Sequence, residues 1–386
     1  MSEFRTIREL CSVVVDCPHS TPKWTANGKI VIRNKNIKHG KIDFSSPSYT
    51  DDEHFAQRIK RAKPQPGDII ITREAPIGDV GMIPENTECC LGQRMVLLRA
   101  NQSVCDNFYL LYSLQSLYVQ HQISWSEGTG TTVSNLRIPH LEQIQIPYLP
   151  LEQQAKISSV LRALEEKIEN NRRLNDNLQQ QAAALFSSLY DQSNTEVGFT
   201  DLIQILGGGT PKTGENTYWN GNIAFFTPKD VGTPYTLITE KTISKEGLSH
   251  CNSRLYPVNT VFVTARGTVG KVAMSGVPMA MNQSCYALVG KETHQLLVYF
   301  YTLKAVDRLK HKASGAVFDA ITTRDFESEQ IMKLSDDDAT AFLRVAEPMF
   351  QEVLNNNIEN LRLSTLRDSL LPKLMSGEID VSAVQL

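Results

Sequence analysis

The feature that most constrains the fold of this chain is an internal repeat that spans nearly half of its 386 residues. When the sequence is shifted by 185 residues, residues 144–146 overlay residues 329–331. Further toward the N-terminus the shift drifts to 190–192, and there residues 72–80 overlay residues 264–272. A unit of this size is far longer than a solenoid repeat, so the sequence predicts a duplicated pair of domains.

Each copy of the repeat combines a strand-rich part with one long helix. Short β-branched runs between Gly and Pro residues predict strands at 29–32, 68–72 and 259–264. Helical stretches are predicted at 108–123 and 295–311. The predicted fold class is α+β: two mixed α/β domains separated by two long antiparallel coiled-coil helices, with a pseudo-two-fold internal repeat.

Four segments follow from this pattern. They are a first domain (1–148), a central helix (149–195), a second domain (196–333) and a C-terminal helix (334–386).

The two helical segments carry apolar residues at the 4-3-4-3 spacing of a coiled-coil seam. The first seam consists of Ile157, Leu161, Leu164, Ile168, Asn171, Asn175, Leu178, Ala182, Leu185 and Leu189. The second seam consists of Phe342, Ala346, Met349, Val353, Asn356, Asn360, Leu363, Arg367, Leu370 and Leu374. An ordinary amphipathic helix packed on its own domain is the alternative. The length of both stripes favours packing of the helices against each other.

Two asparagines recur at matching places in the two seams. An asparagine in a coiled-coil seam fixes register if it finds a partner. An antiparallel pair related by a two-fold sets Asn171 against Asn360 and Asn175 against Asn356. Pro348 removes a backbone donor, and we expect it to kink the second helix or to start it.

The distribution of charge matters more than the net charge of −3. The four segments carry +1, −1, +2 and −5 in chain order, so a DNA-binding surface would be local rather than global. The N-terminus lacks the order of a signal peptide, and the apolar runs are too short for a bilayer. Seven irregularly spaced cysteines favour a reducing cytoplasm over a disulfide framework and predict no metal site.

Several motifs in this order resemble those of the specificity (S) subunit of type I restriction–modification systems, along nearly the whole chain. The central helix opens with Ile146-Pro147-Tyr148-Leu149-Pro150-Leu151-Glu152-Gln153-Gln154. The second domain contains Gly208-Gly209-Thr210-Pro211, Phe226-Thr227-Pro228-Lys229-Asp230, Arg266-Gly267-Thr268-Val269-Gly270 and Asn282-Gln283. The first domain departs from this pattern, with Cys17-Pro18-His19-Ser20-Thr21-Pro22 in place of the glycines and Arg73-Glu74-Ala75-Pro76 at the turn.

The resemblance implies a function in DNA recognition. Each domain would be a target-recognition domain that reads one half of a bipartite site in double-stranded DNA, and different half-sites require divergent domains. It also implies two methyltransferase subunits docked on the helices, and restriction endonuclease subunits in the full complex. S-adenosylmethionine, ATP and Mg are expected on those partners and no cofactor on this chain, which would be non-catalytic and cytoplasmic.

Motifs of enzymes give no competing assignment. The chain has no Asn/Asp-Pro-Pro-Tyr tetrapeptide of an adenine methyltransferase. The segment Gly267-Thr268-Val269-Gly270-Lys271 has two residues between its glycines, whereas a phosphate-binding loop needs four. A scaffold that binds proteins rather than DNA, and an orphan subunit without its partners, remain as alternative functions.

Polar residues beside Gly and Pro turns are the predicted DNA contacts. In the second domain they are Lys212, Thr213, Lys229, Arg266, Lys271 and Gln283. In the first domain they are Lys23, Arg33, Arg73, Gln93 and Arg94. Arg and Gln can pair with guanine and adenine edges, whereas Lys more often contacts phosphate. The basic run 58–63 either follows phosphates or forms a solvated loop.

Overall fold

The structure of the protein is a computed structural model, which describes residues 3–38, 40–125, 135–312 and 320–382. Packing groups the chain into two compact units. The first consists of Met1–Glu166 with Leu363–Leu386, and the second is Lys167–Arg362. Each unit therefore contains one domain together with a part of each long helix.

The domain of the first unit mixes short strands and helices. Its strands are β1 (Glu3–Thr6), β2 (Cys11–Asp16), β3 (Lys29–Ile32), β4 (Ile37–Lys38), β5 (Lys41–Ile42), β6 (Ser48–Thr50), β7 (Ile69–Thr72), β8 (Val80–Met82), β9 (Cys89–Leu91), β10 (Met95–Ala100) and β11 (Gln145–Tyr148). Its helices are α1 (Ile7–Leu10), α2 (Asp52–Arg58), α3 (Asn107–Gln115), α4 (Leu117–Trp125) and α5 (Ile138–Gln143). The stretch predicted as one helix at 108–123 is thus two, because Ser116 has an extended backbone.

The domain of the second unit repeats this order. Its strands are β12 (Thr195–Gly198), β13 (Ile203–Gly207), β14 (Trp219–Phe226), β15 (Tyr235–Thr236), β16 (Lys241–Ile243), β17 (Val261–Thr264), β18 (Val272–Ser275), β19 (Met279–Met281), β20 (Cys285–Gly290) and β21 (Gln330–Lys333). The long α6 (Leu151–Gln192) precedes them, and the helices that follow are α7 (Phe199–Leu202), α8 (Lys245–Ser249), α9 (Gln295–Lys312), α10 (Thr323–Glu327) and α11 (Asp336–Met375).

The sheets of the two units share one topology, except that the main sheet of the second unit has an additional strand, β15. The main sheet has the order β2-β10-β7-β8 in the first unit and β13-β20-β17-β18-β15 in the second. A three-stranded sheet, β6-β3-β9 or β16-β14-β19, contains one parallel and one antiparallel pair in each unit. The strands that open and close each domain pair antiparallel, β1 with β11 and β12 with β21. The duplication inferred from the sequence is therefore present in the fold.

The two long helices are stabilised because the apolar stripe along each helix is buried in the cores of the two units. At the first unit, Ile157 and Leu161 of α6 share a core with Leu374 and Met375 of α11. At the second, Ala182 and Phe186 of α6 share a core with Phe342, Ala346, Phe350 and Val353 of α11. The antiparallel coiled-coil pair is confirmed.

Pro348 does not start the second helix, so that part of the sequence-based expectation is wrong. Helix α11 begins at Asp336, twelve residues earlier, and continues through Pro348 to Met375. Pro348 is exposed, so water can hydrate the Arg344 carbonyl that loses its helical hydrogen bond. Ala346 and Phe350 on either side of the proline are buried and hold the helix in place.

Candidate nucleic-acid interface

In the first unit, three of the five predicted contact residues line one groove. Arg33 follows β3, and Gln93 and Arg94 form the turn between β9 and β10. The groove is completed by Pro22, Trp24, Asn34, Lys35, Ala75 and Gly92. These residues come from separate loops, which the three-stranded sheet and the turn after β7 bring together.

The cations of this groove are presented to solvent. The guanidinium carbon of Arg33 lies 5.0 Å from the ring centre of the half-exposed Trp24. Stacking on an indole leaves the N–H edge of a guanidinium available for a base edge or a phosphate. Arg94 has the left-handed φ of +66°, uncommon for a residue with a side chain, and its guanidinium is 3.3 Å from Glu74.

Arg58, the first residue of the basic run 58–63, is buried and fixes the loops of this groove. Arg58 donates hydrogen bonds to the carbonyl oxygens of Leu91 (2.7 Å) and Gly92 (2.8 Å), and to those of Ser20 (2.9 Å) and Pro18 (3.2 Å). Burial lowers the pKa of its guanidinium, and the four carbonyl dipoles offset part of that desolvation. Arg58 therefore neither follows phosphates nor sits in a solvated loop.

Lys23 and Gln93 take part in local contacts. Lys23 is exposed, 3.4 Å from Asp51, which caps helix α2. Gln93 donates a short hydrogen bond from its amide to the His19 carbonyl. The amide oxygen of Gln93 is not used in that bond, so it remains available to accept from an adenine amino group.

Arg73 is placed differently from the other predicted contacts. It is buried, and its guanidinium donates to both carboxylate oxygens of Asp16 at 2.8 Å. It also donates to the Leu136 carbonyl at 2.9 Å and to the Asn135 side chain at 3.2 Å. Its donors are directed at the protein, so its position fits a structural residue rather than a DNA contact.

In the second unit, hydrogen bonds connect the four loops that carry the predicted contacts. Thr210 donates from its hydroxyl to Gln283, and the backbone N–H of Arg266 donates to the Ser284 carbonyl at 3.2 Å. Thr268 donates to the Pro228 carbonyl at 3.3 Å, beside Lys229. Lys212, Gln283, Arg266 and Lys229 therefore belong to one connected cluster of loops.

The loop that carries Lys212 and Thr213 requires its glycines. A side chain at Gly208 would place its Cβ 2.1 Å from the Asn282 carbonyl oxygen, and one at Gly209 would place it 2.7 Å from the Asn252 nitrogen. Trp219 holds the other side of the loop by donating from its indole to the Lys212 carbonyl at 3.1 Å. Lys212 and Thr213 are thus exposed on a fixed backbone.

Arg266 is a cation of this cluster that is available to a ligand. It is exposed, and its guanidinium makes no ion pair or hydrogen bond with any residue in the described ranges. Lys271 is also exposed and follows the same turn, whose shape is held by a 2.9 Å hydrogen bond from its backbone N–H to the Thr264 hydroxyl. Lys229 is 3.5 Å from Glu240.

Equivalent hydrogen bonds build the turns of the two units. Thr72 donates to the Asp79 carbonyl and Thr264 to the Lys271 carbonyl, both at 2.9 Å. Leu136 donates to the Arg73 carbonyl at 3.0 Å, and its counterpart Ile321 donates to the Ala265 carbonyl at 2.9 Å. The backbone frame is conserved between the units, whereas the side chains on it differ.

In the part of the chain that the structure describes, no group of His, Cys, Asp and Glu side chains is arranged to hold a metal ion. None of the helices in these ranges combines the length and the apolarity required to cross a membrane.

Comparisons with known proteins agree on one family. The family model for the type I restriction modification DNA specificity domain matches residues 3–180 and 193–333. The MjaIX specificity subunit of Methanocaldococcus jannaschii is 23% identical over 342 residues, covering 82% of this chain and 78% of that protein. The putative MjaX specificity subunit from the same organism is 20% identical, covering 98% and 94%. The crystal structure of an S subunit from M. genitalium has a TM-score of 0.63 at 17% identity, covering 97% of this chain and 96% of that one.

Proposed function

The chain belongs to the family of type I restriction modification DNA specificity domains, and on this premise we propose that its two domains read two different halves of a bipartite DNA site. One observation carries the proposal: equivalent turns share a backbone frame but present different side chains. Where the second unit exposes Arg266, the first has Glu74, and Arg73 is buried. Two domains with different donors at the same place favour different bases.

The contacts divide by chemistry. Arg33, Gln93 and Arg94 in the first unit, and Arg266 and Gln283 in the second, are the proposed readers of base edges. The lysines and Thr213 position the protein on phosphates, which carry no sequence information directly. These lysines are Lys23, Lys212, Lys229 and Lys271.

The long helices set the number of base pairs that separate the half-sites. Helix α6 has 42 residues and α11 has 40. At about 1.5 Å per residue each is about 60 Å long, comparable to 17–18 base pairs. The same helices dock two methyltransferase subunits, and endonuclease subunits join in the full complex. In this proposal the chain itself is non-catalytic and cytoplasmic, and S-adenosylmethionine, ATP and Mg bind the partners.

The decisive experiment maps methylated bases in the DNA of a host that expresses this chain with its methyltransferase partner. The proposal predicts one asymmetric bipartite motif with an unread spacer. A companion measurement is binding of the purified chain to random duplex DNA at several salt concentrations. Absence of both a motif and salt-dependent binding would favour a scaffold that binds proteins.

A further inference from the structure

A polar cluster joins the two long helices within the first unit. The hydroxyl of the buried Tyr112 donates to a carboxylate oxygen of Glu165 at 3.0 Å. The other carboxylate oxygen of Glu165 is 3.5 Å from the guanidinium of Arg367. Glu165 belongs to α6 and Arg367 to α11, so this ion pair requires one helix of each kind.

The second unit has apolar residues at the equivalent places. The 185-residue repeat relates Glu165 to Phe350 and Arg367 to Ala182. In the second unit Phe300 of α9 takes the place of Tyr112, and it packs on Phe350 with the ring centres 5.5 Å apart. Ala182, Phe300 and Phe350 are buried in one core. Equivalent places of the seam therefore carry charged side chains in the first unit and apolar ones in the second.

A second ion pair, within the second unit, also joins α6 to α11. Lys167 of α6 is 3.2 Å from Glu359 of α11, which also accepts a 2.7 Å hydrogen bond from Asn171. The repeat relates Lys167 to Glu352 and Glu359 to Leu174. Neither counterpart could replace the original partner.

We infer that these two ion pairs determine which helices pair, by favouring α6 with α11 over two copies of the same helix. If α6 paired with α6 of a second copy in the same register, Glu165 would face Ala182 and Lys167 would face Leu174. If α11 paired with α11, Arg367 would face Phe350, and Glu352 would face Glu359 as a like charge. The larger part of the cost falls on Glu165, whose mostly buried side chain would lose its ion pair and face Ala182. Lys167 and Glu359 are about half exposed, so loss of their ion pair contributes less. Arg367 keeps its ion pair with Asp368 in every pairing. Both symmetric pairings are therefore disfavoured.

The asparagines of the seam have a separate role. Because Asn171 and Asn175 match Asn356 and Asn360 in the repeat, asparagine would meet asparagine in all three pairings. They can fix the register but cannot choose the partner. The choice of partner helix depends instead on the positions at which the two copies of the repeat carry different residues. This device keeps the two recognition domains of one chain paired instead of joining two copies of the same domain.

The test starts from the intact chain, with a protease site inserted between α6 and β12. Cleavage of the folded protein removes the advantage that covalent linkage gives to pairing within one chain. Native mass spectrometry then measures how the halves redistribute. We expect heterodimers, with homodimers at about one tenth of the complexes or fewer. Redistribution of the unaltered halves to the statistical mixture, with about half of the complexes homodimeric, would overturn the inference.

Variants identify the residues responsible. The triple variant Tyr112→Phe, Glu165→Phe and Arg367→Ala copies the second unit, and we expect homodimers to increase at least about fivefold without loss of thermal stability. Arg367→Glu, which sets two carboxylates together in the heterodimer, should also increase homodimers. Adding Glu165→Arg should reverse this effect.

The control is Arg173→Ala, which removes an ion pair with Glu169 within α6 and is therefore neutral for partner choice. If the triple variant does not fold, the charge reversal and its rescue decide. Variants that redistribute no more than the unaltered halves would also overturn the inference.

Discussion

Asn171 on α6 donates a hydrogen bond from its side-chain nitrogen to the side-chain oxygen of Asn360 on α11, 3.0 Å away. The same relationship holds between Asn356 and Asn175, with Asn356 as the donor at 2.9 Å. Asn171, Asn175 and Asn356 are buried, and the contacts are those of an antiparallel register. A ladder of paired amides replaces apolar packing at the middle of the seam.

Asn171→Ala should therefore destabilise the helix pair. The substitution removes a donor to Asn360 and to Glu359, and leaves polar atoms in the seam without partners, at a cost of about 1–3 kcal/mol. The midpoint of denaturant unfolding measures the effect. Asn170→Ala is the matched control, because Asn170 is exposed on the same helix. Equal stability of Asn171→Ala and the control would mean that the ladder contributes nothing.

The asparagine contacts could be predicted because the repeat itself specifies which seam positions are equivalent. The course of α11 through Pro348 could not, because it depends on which face of the helix meets solvent. The same holds for Arg58 and Arg73. Both lie in polar, turn-rich sequence that looks exposed, and only tertiary packing surrounds their guanidinium groups with carbonyl oxygens or with Asp16. Turn chemistry predicts where loops lie but not which cations they bury.

Arg58→Lys should alter recognition of one half-site and leave the other unchanged. An ammonium group cannot donate to four carbonyls in the fork geometry of a guanidinium, so the loops bearing Lys23, Gln93 and Arg94 would lose their fixed positions. Methylation mapping should show relaxed bases in a single half of the motif. Lys60→Ala, a change two residues beyond α2, is the control. Equal relaxation of both halves would contradict a role confined to this groove.

Arg266→Ala and Arg73→Ala should behave differently although they occupy related turns. Loss of the exposed Arg266 should cost about 1–3 kcal/mol of binding at one base position and leave thermal stability unchanged. Loss of Arg73 removes its buried ion pair with Asp16 and should lower the unfolding temperature instead. Binding to a panel of substituted duplexes, together with thermal unfolding, separates the two. A large drop in stability for Arg266→Ala would show that it is structural.

The second unit should lose stability in acid through Glu359. Hydrogen bonds from Asn171 and Lys167 lower the pKa of this carboxyl below its ordinary value of 4.5. A lowered pKa contributes stability that is present above pH 4.5 and is lost as the pH falls through the folded-state value. Glu359→Gln should remove that part of the pH dependence of the unfolding temperature. Glu352→Gln is the control, and an identical acid response in both variants would contradict this assignment.

The most direct test of the proposed function lengthens both helices and maps the methylated motif. One heptad is inserted after Leu178 in α6 and one before Val353 in α11, positions that face each other in the observed register. A whole heptad keeps the seam in phase and adds about 10.5 Å to each helix. The unread spacer should lengthen by about three base pairs, with both half-sites unchanged. An active variant that methylates the original spacer would contradict the claim that the helices set the distance between the half-sites.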